Sequence, residues 1–198
     1  MLTPRFQNAL VFASQLHASQ KRKGSSTPYI AHLLGVTALV LEAGGDEDQA
    51  IAALLHDAVE DQGGMRTLEI IRTRFGERVA RIVDGCTDAH GLPKPPWKER
   101  KEEYITHLRS VPADVRLVSL ADKVHNARAI LADLRQQGAQ TWDKFNGGKQ
   151  GSLWYYRTLA EVFRATGDDP LTSEFTRLVD EMERLAGPPA APGGPVDE

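Results

Sequence analysis

Apolar residues recur at three- and four-residue intervals along nearly the whole chain, and no stretch alternates apolar with polar residues in the manner of a strand. That spacing marks one face of an α-helix. With Gly and Pro punctuating the segments it constrains the fold to all-α, a helical bundle. It predicts a first helix over about 4 to 19, and a second that opens with Thr27 as N-cap and Pro28 at the first helical position and runs to about Ala43. A third opens at Asp46, where Gln49 completes a capping box, and ends near Asp61. Two shorter helices flank Gly76, and helices resume at about 98 to 110, 112 to 135, 150 to 166 and 171 to 186. Between them HGLPKPPW is not helical, because its three prolines remove backbone donors and fix φ.

Length and composition bound the rest. The 198 residues, 41% hydrophobic and 26% charged, suit a single domain over residues 1–187 that buries roughly 70% of the surface of its unfolded chain. The tail GPPAAPGGPVDE is too rich in Pro and Gly to pack, and residues 188–198 are expected to be disordered. The longest apolar run, HLLGVTALVL, is interrupted by Gly35 and falls short of the ~20 residues of a membrane span. No export signal is read at the N-terminus, and a single cysteine, Cys86, suits a reducing cytoplasm. A formal charge of −3 gives no general attraction to nucleic acid.

The stretch LLHDAVED is where the helical pattern turns chemical, with His56, Asp57, Glu60 and Asp61 following the buried run IAALL. Helical spacing puts Asp57, Glu60 and Asp61 on one face, with His56 above Glu60. Negative charge at a helix C-terminus opposes the helix dipole, so the arrangement asks for a compensating partner. Taken alone it reads equally well as a solvated acidic turn beside a satisfied histidine. Two further stretches add to it. PYIAH places His32 on the second helix, and SLADKVHN places Asp122 and Asn126 on one face of a later helix. His32, His56, Asp57 and Asp122 thus come from three helices of a bundle, an arrangement that builds metal sites in bundle cores. Imidazole and carboxylate donors without thiolate suit Mn²⁺, Fe²⁺ or Zn²⁺ in a site with open positions.

The ordered set QKRKGSSTPYIAH, ALLHDAVED, RFGERVARIVDGCTD and LADKVHNAR resembles the HD-domain hydrolases of the RelA/SpoT group over about residues 5 to 165. The resemblance implies a stand-alone alarmone hydrolase, without a synthetase or regulatory domain, that removes the 3′-pyrophosphate of ppGpp and pppGpp to give GDP or GTP and pyrophosphate. It implies Mn²⁺ held by His32, His56, Asp57 and Asp122, with Glu60 and Asp61 orienting or deprotonating the attacking water. Arg22 and Lys23 match the basic pair before PYI and would meet the substrate's pyrophosphate or base, with Ser25 or Ser26 adding hydrogen bonds. Lys94 would add a phosphate contact, and Asn126 a contact to the nucleotide. Lys123 and His125 read as supporting neighbours. A tyrosine of the last helix that the resemblance covers, here about 150 to 166, lies near the nucleotide in the group; of Tyr155 and Tyr156 only one is expected to face the site, and Tyr155 is favoured. The glycines of FNGGKQG lack the spacing of a phosphate-binding loop, and read as a turn followed by a core anchor, Trp154. His17, His90 and His107 show no partner pattern. Two other readings stay open: a metal-dependent phosphohydrolase acting on another nucleotide or NADPH, and a nucleotide-binding module without catalysis.

Overall fold

The computed structural model describes residues 1–88 and 95–187. Ten α-helices and one 3₁₀ helix are found among them, and the only β feature is an isolated bridge between Lys21 and Pro28. The expected all-α fold is the observed one. The Lys94 assignment and the expected tail at 188–198 fall outside the described residues.

Helix α3 (Glu47–Leu55) is the centre of the core, with Ala50, Ile51, Ala52, Ala53, Leu54 and Leu55 all fully buried. Its start is the expected capping box: the Asp46 side chain accepts from Gln49 N while the Gln49 side chain accepts from Asp46 N. Around it pack α1 (Pro4–Leu16), α2 (Ile30–Glu42), α6 (Glu77–Cys86) and the 25-residue α8 (Ala113–Gln137). Helix α5 (Gly64–Phe75) precedes α6 across Gly76, whose φ of 96° is open to glycine. Helices α7 (Trp97–Leu108), α9 (Gly148–Thr166) and α10 (Pro170–Ala186) complete the bundle, α10 lying along α8.

Two expectations at helix ends are corrected. Thr27 does not cap α2: the chain from Gln20 to Tyr29 turns back on itself, with Arg22 N bonded to Thr27 O and Tyr29 N to Gln20 O, and the helix begins only at Ile30. These cross-loop bonds take Thr27 away from the helix start. The third helix is also not continuous to Asp61. It stops at Leu55, Asp57 sits at φ −95°, ψ −3°, and a separate turn, α4 (Ala58–Asp61), follows. His56 and Asp57 therefore lie at a break in the backbone rather than on a regular helical face.

Candidate active site

The break at His56 directs its imidazole inward. Nδ1 of His56 lies 2.9 Å from the carbonyl of Ala53, one turn back, so Nδ1 carries the proton and Nε2 presents its lone pair. His32 on α2 is likewise buried, and its Nδ1 lies 2.9 Å from Nδ1 of His125 on α8. The two free Nε2 atoms converge on the same pair of carboxylates. His56 Nε2 is 3.0 Å from Asp57 Oδ2 and 3.6 Å from Asp122 Oδ1, while His32 Nε2 is 3.1 Å from Asp122 Oδ1 and 3.6 Å from Asp57 Oδ2. Neither Nε2 has a hydrogen-bond partner of proper geometry among the described residues. Bonds of about 2.1 Å to one ion put neighbouring donors about 3.0 Å apart at a right angle and about 3.4 Å apart at the tetrahedral angle. The donor atoms of His32, His56 and Asp57 all lie within 4.8 Å of one another, so these three residues fit a divalent cation, with Asp122 Oδ1 close to both histidines.

The electrostatics point the same way. Burial disfavours charge on Asp57, but with no cation bound a proton on His56, which the two carboxylates favour against its own burial, and the nearby His32 outweigh it and hold the carboxyl well below its usual range. Burial opposes ionisation of Asp122 too, and Lys123, whose Nζ lies 2.6 Å from Oδ2, overcomes it. Asn126 donates to Asp122 Oδ1 at 2.5 Å and accepts from Arg22 at 2.7 Å, which links the basic loop to the acid cluster.

Two cavities meet at this cluster. A polar one of about 220 Å³ is lined by His56, Asp57, Glu60, Asp88, Ser119 and Asp122, among others. A larger one of about 810 Å³, with mixed polar and apolar walls, extends over α8 and α9. Arg22, Tyr29, Lys101, Lys123 and Asn126 line both, so three cations stand where the cavities join. Lys101 rests over the Tyr155 ring at 5.0 Å and Lys123 over Tyr104 at 5.0 Å. Asp88, itself nearly buried, holds Lys101 at 2.5 Å and Arg100 at 2.9 Å.

Most of the residues singled out in the sequence come together here. His32, His56, Asp57 and Asp122 form the cluster, Glu60 lines the smaller cavity, and Arg22, Lys23, Asn126 and Tyr155 line the larger one. Asp61 is exposed, accepts from Gln20 at 2.8 Å, and lines neither cavity. Tyr155 and Tyr156 are both buried and both line the larger cavity, against the expectation that only one would. The cavity is wide enough for its wall to take neighbouring side chains of α9. The Tyr155 hydroxyl is buried and makes no hydrogen bond among the described residues.

The expected core anchor Trp154 is 36% exposed; the anchor is Trp97. A Cβ on Gly147 would lie 2.5 Å from the Trp97 ring and one on Gly151 3.0 Å from it, so these glycines of FNGGKQG make room for an indole that walls the larger cavity. Sequence reasoning missed Trp97, Lys101, Asp88 and Tyr29. Lys101 and Asp88 sit inside otherwise ordinary charged stretches, but the TD that closes RFGERVARIVDGCTD carries Asp88 and was a usable signal.

The fold and this histidine–aspartate centre define an HD-domain protein. The family model of the HD domain matches residues 9–152, and the chain belongs to that family, in its RelA/SpoT-type group. It is 40% identical over 156 residues to the guanosine-3′,5′-bis(diphosphate) 3′-pyrophosphohydrolase MESH1 of Xenopus tropicalis, a match spanning 77% of this chain and 79% of that one. It is also 40% identical over 127 residues to the guanosine-3′,5′-bis(diphosphate) 3′-pyrophosphohydrolase of Aquifex aeolicus, covering 63% of this chain but 17% of that longer protein. Among solved structures it is similar to one described as a metazoan ortholog of SpoT that hydrolyzes ppGpp and plays a role in starvation responses, with a TM-score of 0.76, 27% identity, and coverage of 91% of this chain and 97% of that one.

Proposed function

We propose that this chain hydrolyses the 3′-pyrophosphate of ppGpp and pppGpp, giving GDP or GTP and pyrophosphate, with Mn²⁺ held by His32, His56, Asp57 and Asp122. The observation that carries the reading is the meeting of the two cavities: a metal-type cluster in the polar one opens through Arg22, Lys101 and Lys123 into a chamber with aromatic walls. The relatives named above are hydrolases of this alarmone, which supports the same substrate.

When bound, the cation supplies Lewis acidity, lowering the pKa of a water and offsetting charge on the phosphoryl oxygens. The residues of the chain do the rest. Arg22, Lys101 and Lys123 meet the pyrophosphate at the junction; guanidinium and ammonium groups suit phosphate oxygens, and their charge grows in value as water is excluded. Lys101 enters this site partly desolvated, with burial and the neighbouring Lys123 lowering its pKa, which leaves it favoured by an arriving anion. Glu60, which lines the polar cavity, takes a proton from the attacking water in this reading, and Asp61 supports the loop through Gln20. Water adds to the phosphorus that bears the 3′-oxygen, the P–O3′ bond breaks, and the nucleotide leaves with a free 3′-hydroxyl. Lys23, Asn126, Tyr155, Tyr156 and Trp97 hold the nucleoside in the larger cavity. No helix among the described residues is long and apolar enough to cross a membrane, and with one cysteine the chain suits the cytoplasm.

Asp57→Ala tests the reading. It is expected to lose both Mn²⁺ binding and turnover, and a variant that keeps one tight equivalent of manganese and normal activity contradicts the assigned site.

A further inference from the structure

His125 lies on α8 three residues after Asp122, outside the set of atoms that converges on the cluster. Its Nδ1 is 2.9 Å from Nδ1 of His32, and the two rings meet at 61° with centroids 4.8 Å apart. Two ring nitrogens at that distance share one proton, and which ring owns it follows from ligation. If His32 offers Nε2 to a cation, its proton sits on Nδ1, and His125 must accept there with its own proton on Nε2. The reverse arrangement puts a proton on His32 Nε2, where a cation needs a lone pair.

The ring of His125 is held by an unusual neighbour. A Cβ on Gly35 would lie 2.3 Å from both Cδ2 and Nε2 of His125. Gly35 is the residue that interrupts the apolar run HLLGVTALVL of α2, at a cost of roughly 1 kcal/mol relative to alanine within a helix. Its lack of a side chain lets the imidazole lie against the helix backbone, one turn after His32.

We propose that His125 is a positioning residue for the metal site: seated in the gap at Gly35, it accepts the Nδ1 proton of His32 and so fixes the tautomer and ring orientation in which His32 Nε2 binds the cation. The inference rests on the metal site proposed above, and concerns a residue that holds no metal itself although it also lines the larger cavity, so the readout is metal binding measured without nucleotide.

The test compares His125→Phe, which fills the gap with a ring but has no acceptor, with His125→Asn, whose Oδ1 can accept near the place of Nδ1. Outer partners of ligating histidines typically contribute 10–100-fold to metal affinity. Calorimetric titration of the full chain with Mn²⁺ is therefore expected to show binding weaker by about 10–100-fold in His125→Phe and largely restored in His125→Asn. Nitrogen-15 histidine spectra of the protein loaded with diamagnetic Zn²⁺ should show a protected Nδ1–H on His32 in wild type and His125→Asn, and its loss to fast exchange in His125→Phe. Gly35→Ala alone, whose Cβ would displace the His125 imidazole from the gap, should also weaken Mn²⁺ binding. Equal Mn²⁺ affinity in wild type and His125→Phe, or an Asn variant as weak as Phe, overturns the inference while leaving the metal site standing. A wild-type chain that binds no divalent ion overturns both.

Discussion

The hydroxyl of Tyr29 donates to Oδ2 of Asp57 at 2.6 Å, and this is the same oxygen that stands 3.0 Å from His56 Nε2. Tyr29 is fixed in turn by stacking on His17 at 5.3 Å and by an edge contact with His32 at 5.5 Å. Burial first, and then the charge of Asp57, drive its ionisation far above the ordinary phenol range, so it stays a donor at any pH the protein meets. The tyrosine of PYIAH thus sets the rotamer of an aspartate 28 residues later.

Tyr29→Phe should keep the fold and weaken the metal site. The expected result is a loss of about 10-fold or more in Mn²⁺ affinity, with unfolding free energy changed by about 1 kcal/mol. Calorimetric titration and thermal unfolding of the same preparation check it. Unchanged affinity would show that Asp57 does not depend on this bond.

Glu60 and Asp61 are expected to separate. Glu60 lines the polar cavity while Asp61 is exposed and occupied with Gln20. Glu60→Gln should retain Mn²⁺ and lose turnover by about 100-fold or more, the range of a general base. Asp61→Asn should lose much less, as a support removed from the loop. Turnover with metal binding measured in parallel decides it, and equal losses in the two variants would contradict the split.

Gly147 reports on the aromatic wall. Gly147→Ala places a Cβ 2.5 Å from the Trp97 ring and forces it to move. Overpacking of this kind costs about 1–3 kcal/mol, and the displaced indole should raise KM more than it lowers kcat. Thermal melts with steady-state kinetics are the check. Gly147 sits at φ −83°, so backbone strain does not confuse the result.

Cys86 should be slow to react in the native protein. Burial pushes its thiol up to about 11, only partly relieved by a hydrogen bond with Ser119. At pH 8 about 0.1% is thiolate, against about 10% for a thiol at the ordinary value, so iodoacetamide should label the native chain at least about 100-fold more slowly than the denatured one. A pKa raised on folding stabilises the native state at low pH. That contribution is full below pH 9 and is lost as pH rises toward 11, so unfolding midpoints should fall across that window and fall less in Cys86→Ala.

Much of the fold was legible in the sequence because caps and helix faces obey local spacing. The capping box at Asp46 and Gln49 and the helices flanking Gly76 follow from residue type and interval, and the candidate set His32, His56, Asp57 and Asp122, picked out by residue type on three helices, is brought together in the structure. What stayed hidden depends on tertiary placement. A continuous helix through His56 is the natural reading of a continuous apolar pattern, yet the regular helix stops at Leu55 and His56 and Asp57 fall at the junction with the next turn. Thr27 has the chemistry of an N-cap but is held by a cross-loop bond to Arg22 N. Lys101 looks like any surface lysine of α7 until Asp88 and Tyr155 are seen around it. The glycines at 147 and 151 have no local meaning, since the indole they accommodate lies some fifty residues earlier.

The most direct measurement is chromatographic product analysis of metal-stripped protein given ppGpp, with NADPH and ordinary nucleotides in parallel, each with and without added Mn²⁺. The account predicts GDP and pyrophosphate from ppGpp only when Mn²⁺ is present. Intact ppGpp in the presence of Mn²⁺, with another nucleotide cleaved or none, would contradict it.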